Sequence, residues 1–295
     1  MESRMTITTG LVKDPIRHQF PQWAHLAVAP IEPGGWDNKT FRLGSDMLVR
    51  LPTAEAYSPP VPREHQWLPK LAPLLPLPIP EPVAMGSSSD TYPWSWSIYR
   101  WIQGETVSAS GVADFHAFAG DLGRFLQALR QVNLKGPEPG PANFYRGSHT
   151  SVYDNETRRA IHILGGAIDS DIALAVWEEA QATRWSGFPV WFHGDVHPSN
   201  LLCAEGRLCA VIDFGCAGVG DPACDAAMAW TFFEGQSREV FRQALGADEG
   251  TWLRGRAWAL WKVLVILADP QYHESPKARE SQRVLNQILT DYRDR

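Results

Sequence analysis

The chain has 295 residues, 44% of them hydrophobic and 20% charged, and a net charge of −6. That is enough apolar surface for a large core divided between two lobes, and it excludes a disordered chain. No basic face points to a nucleic-acid partner, and the longest apolar run, residues 257–268, is too short to span a membrane and is interrupted by Lys262.

The start, M-E-S-R-M-T-I-T-T-G, lacks the apolar stretch of a signal peptide, so a soluble, cytoplasmic protein is expected. The cysteines, Cys203, Cys209, Cys216 and Cys224, contain no C-x-x-C pair, which argues for small packing residues rather than a zinc site or disulfides. The charge excess is local. Residues 1–103 hold nine acids and nine bases, 104–224 fourteen and eight, and 225–295 ten and ten.

In chain order, Ile16 to Trp23 reads as a short helix and Leu26 to Ile31 as an apolar strand. The stretch Glu32 to Gly44 then places Gly34-Gly35 between two strands, where backbone N–H groups can lie over phosphates; Gly-Gly is also an ordinary hairpin turn. Met47 to Leu51 is the next strand, and Arg50 inside it needs a compensating acid. Glu64, opening the helix-like E-H-Q-W-L-P-K-L, is the candidate, and a purely structural strand charge is the alternative. Pro73 to Pro82 is barred from an α-helix and should run extended. Tyr92 to Trp101 alternates in strand fashion.

Apolar residues from Phe115 to Val132 recur at helical spacing. Pro137 to Gly147, with Asn143, Phe144, Tyr145 and Arg146, suits either a flap or an inert connection. Ile172 to Trp185 predicts a helix leading to a strand at Pro189 to Phe192.

Leu201 to Cys203 and Leu208 to Ile212 are short apolar runs around Ala204-Glu205-Gly206-Arg207, a hairpin signature. A hairpin brings its outer ends together, so Asn200 and Asp213 should sit side by side. Two hard oxygen ligands of this kind suit Mg²⁺, which takes its remaining ligands from water and nucleotide phosphates. Asp195, in an irregular segment stiffened by Pro198, is placed to take a proton from an acceptor hydroxyl. A transition-metal site built on His193, Asp195 and His197, as in metallophosphoesterases, lacks the further His and Asp clusters that class needs. His193 reads as a residue that fixes the loop, His197 as a solvated one, and Asp221 and Asp225 as caps for the helix that follows. Beyond Asp225 the chain reads as helical, with Ser275-Pro276 starting a last amphipathic helix.

Three ordered motifs carry a resemblance. H-G-D-V-H-P-S-N from His193 to Asn200, then Asp213-Phe214-Gly215, then G-D-P-A-C-D from Gly220 to Asp225, resemble the catalytic and metal loops of the aminoglycoside phosphotransferase family, relatives of the protein kinases. The resemblance implies a two-lobed α/β kinase-like fold: a β-rich nucleotide-binding lobe over residues 1–103 ending in a hinge, and a larger helical lobe over 104–295 for catalysis and acceptor binding. It implies transfer of the γ-phosphoryl of ATP or GTP to a hydroxyl of a small molecule. Asp195 would act as base, Asn200 and Asp213 would hold Mg²⁺, and Arg50 aimed by Glu64 would contact the phosphates. Gly34 and Gly35 would cover them, and backbone near Arg100, Trp101 and Ile102 would meet the base. Most kinase-like folds have Lys where Arg50 stands; some small-molecule kinases resemble this chain in using Arg, which keeps the charge and adds a bidentate grip. The acceptor stays open among aminoglycosides, macrolides, sugars and amino alcohols, and Trp230, Phe233, Trp258, Trp261 and Tyr272 are candidates to stack on it, with a place in the core as the alternative for each.

Overall fold

A computed structural model describes residues 4–32, 34, 35 and 37–295. Of the predicted glycine loop, Pro33 and Trp36 lie outside the described residues, as do Met1 to Ser3.

Helix α1 (Thr9–Gln19) starts earlier than the spacing suggested, because the Thr8 hydroxyl caps it by accepting from the Leu11 amide. Pro21 then opens a separate 3₁₀ turn ending at Trp23. The strands β1 (Val28–Pro30), β2 (Asn38–Leu43) and β3 (Met47–Pro52) follow, all antiparallel. Helix α2 (Pro60–Leu71) begins at a proline whose missing N–H costs nothing in a first turn, so Glu64 lies in the second turn rather than opening the helix. The proline-rich segment makes a 3₁₀ turn at Ala72–Leu74 and runs extended from there into β4 (Pro82–Gly86). With β5 (Trp96–Arg100), these strands form one sheet in the order β1-β2-β3-β5-β4.

The chain crosses to the second lobe between Arg100 and Glu105, where β6 (Glu105–Thr106) joins the sheet of β8 (Leu201–Ala204) and β9 (Arg207–Val211). Helix α3 (Phe115–Arg130) follows the predicted stripe and is capped by the Asp114 carboxylate. Helix α4 (Asp154–Leu164) lies in a stretch for which no element was predicted. Its apolar positions are few, and burial of Thr157, Ala160 and Ile161 against the rest of the lobe sustains it. Helix α5 (Ser170–Gln181) leads to β7 (Val190–Phe192), which pairs with β10 (Gly218–Gly220). The lobe ends in α6 (Met228–Thr231), α7 (Gly235–Leu245), α8 (Glu249–Ala268) and α9 (Pro276–Arg293), the last capped by Ser275 as expected.

Two large cores and a smaller cluster around Phe192 and Trp258 hold this arrangement. One lies in the small lobe around Phe41, Val49, Trp96 and Ile98. The larger one spans the helical lobe and takes in Leu68, Leu71, Ile79 and Tyr99 from the small lobe, so apolar packing is continuous behind the cleft. Each such side chain contributes about 1.5–3 kcal/mol of burial, which fixes α2 and β5 against the loops they must face.

Candidate active site

The β8–β9 hairpin turns at Glu205 and Gly206, both with positive φ (52° and 76°), the geometry of a type I′ turn. At its open end the Ile212 amide donates to the Asn200 carbonyl at 2.9 Å, so Asn200 and the residue before Asp213 are joined through the backbone. Asn200 is buried and gives both amide donor bonds to Asp195, one to its carbonyl and one to Oδ2, each 3.0 Å. Its side-chain oxygen, Oδ1, is thereby left for another partner. Asp213 sits at φ 64°, a region non-glycine residues seldom occupy and one that recurs where a side chain is held for function.

Asp213, Asp195, Arg50, Glu64, Tyr99 and Asn38 line one cleft between the lobes. Arg50 Nη2 lies 2.6 Å from Asp213 Oδ1, and its Nη1 lies 3.4 Å from Glu64 Oε1. The buried Glu64 also accepts from the Tyr99 hydroxyl at 2.5 Å. Burial pushes the Glu64 carboxyl up, while Arg50 and Tyr99 oppose that shift. The strand arginine therefore has two acids: the predicted one on α2 and the carboxylate after the hairpin.

Burial acts to raise the Asp195 carboxyl, but the Lys262 ammonium and then the Arg146 guanidinium outweigh it and hold the group below the ordinary aspartate value. Lys262 Nζ stands 3.8 Å from Asp195 Oδ1. An ionised carboxylate at this point can accept a hydroxyl proton at neutral pH. Neither Lys262 nor Arg146 was assigned a role from sequence; the single cation breaking the apolar run of α8 was the one signal for Lys262.

The loop holding Asp195 is clamped from beneath. His193 is fully buried, its Nδ1 accepts from the Asp195 amide at 3.2 Å, and its Nε2 donates to the Ile212 carbonyl at 3.0 Å. Gly194 has φ 85°, and a Cβ there would come within 2.6 Å of the Cys216 carbonyl oxygen. Asp221 caps its helical turn through the Ala223 amide, and it also binds the buried Arg254 guanidinium at 2.7 Å. Asp225 corrects the capping expectation: its two oxygens accept from the His193 and Gly194 amides at 2.9 and 2.8 Å. Sequence proximity to a helix start suggested a cap, whereas the fold turns this carboxylate back onto the catalytic loop. Asp225→Ala strands two buried amides and is expected to cost about 2–5 kcal/mol. Thermal melting checks this; a variant melting with the wild type would deny the clamp.

The remaining predicted residues are placed differently. Gly34 and Gly35 lie in the loop between β1 and β2, where the Gly34 amide donates to Glu32 Oε2 at 3.1 Å. At the lobe crossing, the Arg100 amide is committed to the Glu81 carbonyl and the Trp101 amide to the Asp46 carbonyl, at 2.9 and 2.8 Å. Among the described residues no such bond commits the Ile102 amide. The Trp101 ring carries the Arg42 guanidinium 3.7 Å from its centroid, and the Arg100 side chain points to Glu81. Phe144, from the 137–147 loop, reaches the cleft wall. Trp230, Phe233 and Trp258 are buried in the core, and Trp261 stacks on Tyr153 at 4.0 Å.

Among the described residues no group of three or more His, Cys, Asp or Glu side chains is arranged to hold a metal ion. The side-chain oxygen of Asn200 and the Asp213 carboxylate fit Mg²⁺ that draws its other ligands from phosphate and water. Such a cation would neutralise charge on transferring phosphate oxygens.

Arg50 and Glu64 form a testable pair. Arg50→Ala is expected to lose both Mg·ATP affinity and kcat, Arg50→Lys to recover part of the loss, and Glu64→Gln to add little to Arg50→Ala because both act through one contact. A double-mutant cycle with strictly additive losses would return Arg50 to a structural role.

Residues 28–260 match the phosphotransferase enzyme family (APH). Among solved structures, the GDP complex of wild-type aminoglycoside 2'-phosphotransferase-IIIa superposes with a TM-score of 0.72 at 18% identity, covering 97% of this chain and 99% of that one. The macrolide 2'-phosphotransferase MphH of Brachybacterium faecium superposes at 0.58 with 20% identity, covering 88% and 92%. The uncharacterized protein YcbJ of Bacillus subtilis (strain 168) is 32% identical over 94 residues, and this match spans 30% of the chain and only 29% of that relative's length. With the family match over most of its length, and with the two lobes meeting at a cleft that gathers Arg50, Glu64, Asp195 and Asp213, the chain is a member of the phosphotransferase enzyme family, an enzyme of the kinase-like two-lobed fold.

Proposed function

We propose that the protein transfers the γ-phosphoryl group of ATP or GTP, with Mg²⁺, to a hydroxyl of a small molecule. The observation that carries this reading is the coupling of Asp195 to Asn200 at the end of a hairpin whose other end supplies Asp213, in the cleft that Arg50 enters. In this mechanism Asp195 receives the hydroxyl proton. The acceptor oxygen bonds to the γ-phosphorus as the bond to the β–γ bridging oxygen breaks, and the nucleoside diphosphate leaves. Arg50, aimed by Glu64, neutralises phosphate charge, and Asn200 and Asp213 would hold the cation. Positioning and charge neutralisation provide most of the rate.

Solved relatives bound to GDP, to ADP, or to ATP with streptomycin support a nucleotide and a small second substrate, antibiotic or metabolite. Resistance through modification of an antibiotic is one role of such a reaction; a kinase for a sugar or amino alcohol is the other. No helix of the described residues is long and apolar enough to cross a membrane. ADP formation measured against a panel of hydroxylated antibiotics and metabolites tests the reading. Stimulation by one acceptor supports it, and failure to bind Mg·ATP at all contradicts it.

A further inference from the structure

A cavity of about 910 Å³ opens in the helical lobe between α3, α7, α8 and α9. One wall is formed by His197 and Pro198 of the catalytic loop and by Lys262, whose ammonium is 3.8 Å from Asp195. Asp195 itself lines the neighbouring cleft between the lobes, and Lys262, whose ammonium pairs with it, stands in the wall of this cavity.

Its body is apolar, built from Phe115, Phe232, Val263, Ile266 and Val284. Its charges are unequal in a way that bears on the acceptor. Glu234 and Glu280, the two acids of the wall, are both engaged by Arg283, which donates from Nη1 to the first and from Nη2 to the second. Two further cations face the space. Lys262 has only Asp195, and the exposed Lys277 has no carboxylate within ion-pair distance among the described residues, its Nζ lying 4.3 Å over the Tyr272 ring. His116, on the same wall, lies 4.0 Å from Asp114.

A molecule carrying several ammonium groups would leave water here without meeting a free carboxylate, apart from the one that must receive the hydroxyl proton. An apolar body gains by burial instead, and a lone anion gains an unpaired lysine.

We propose that this cavity receives the acceptor, and that the acceptor is a hydroxylated molecule with an apolar body and one anionic group taken by Lys277, not a polycation. The proposal rests on the phosphotransfer reading above and adds the acceptor class. The step balances as described there: the hydroxyl proton goes to Asp195, the new O–P bond forms, and the nucleoside diphosphate departs.

The test compares ω-hydroxylaurate, the matching ω-amino alcohol and kanamycin as acceptors, following ADP formation while Mg·ATP affinity is measured by calorimetry. The wild type is expected to favour the hydroxy acid over the amino alcohol by about tenfold or more in kcat/KM, and kanamycin to give no turnover above that with water. Lys277→Glu is expected to reverse the order of acid and amine, a gain for the amine that a misfolded protein could not show. The proposal is overturned by a wild type that prefers the amine or kanamycin, by a Lys277→Glu variant with the original order, or by Mg·ATP binding without stimulation by the hydroxy acid. Absence of Mg·ATP binding overturns the phosphotransfer reading itself, and this inference with it.

Discussion

Asp195→Asn is expected to bind Mg·ATP normally and to lose about a hundredfold or more in kcat, because general-base assistance is typically worth that much. The substitution keeps the shape of the side chain, so a carbonyl oxygen can still accept from the Asn200 amide that now reaches Oδ2. What it removes is the negative charge that Lys262 and Arg146 hold ionised. A purified variant turning over at the wild-type rate would take Asp195 out of the chemistry and leave it a structural partner of Asn200.

Asp213→Ala is expected to abolish the Mg²⁺ dependence of nucleotide binding, and Asn200→Ala to weaken it. The first change also takes away the partner of Arg50 Nη2 and places alanine at a positive φ, so lost stability alone could mimic the effect. Asp213→Asn separates the two causes. Asparagine tolerates the left-handed conformation and can still accept from Arg50, but it brings no charge to a cation. A folded Asp213→Asn protein should therefore retain its melting temperature while its ATP binding depends far less on Mg²⁺. Unchanged metal dependence in that variant would remove Asp213 from the metal site.

The hairpin geometry was legible in sequence because two strands and a glycine turn are local, and closing them dictates that Asn200 and the residues around Asp213 converge. The Arg50–Glu64 pair was legible for a related reason: a charge inside an apolar strand must find a counter-charge, and few acids follow soon after. The partners contributed from far away were not. Arg50 also reaches Asp213, Lys262 reaches Asp195 from α8, and Asp225 turns back to the His193 and Gly194 amides. Each of these contacts depends on how elements distant in sequence pack around the hairpin, which no local pattern encodes. Helix α4 was missed because its apolar positions are few, and the start of α2 was misplaced because a proline N-terminus was not weighed against Glu64.

The central claim is that this cleft moves the γ-phosphoryl group of a nucleotide under the control of Asp195 and a divalent cation. The most direct measurement follows γ-³²P-labelled ATP incubated with wild type and Asp195→Asn, with and without Mg²⁺, in the presence of the acceptor panel. The account predicts that label leaves ATP for a phosphomonoester only with Mg²⁺ and at a rate the variant reduces by about a hundredfold or more. Label transferred equally by Asp195→Asn, transferred without a divalent cation, or never leaving ATP for any acceptor although Mg·ATP is bound, would contradict it.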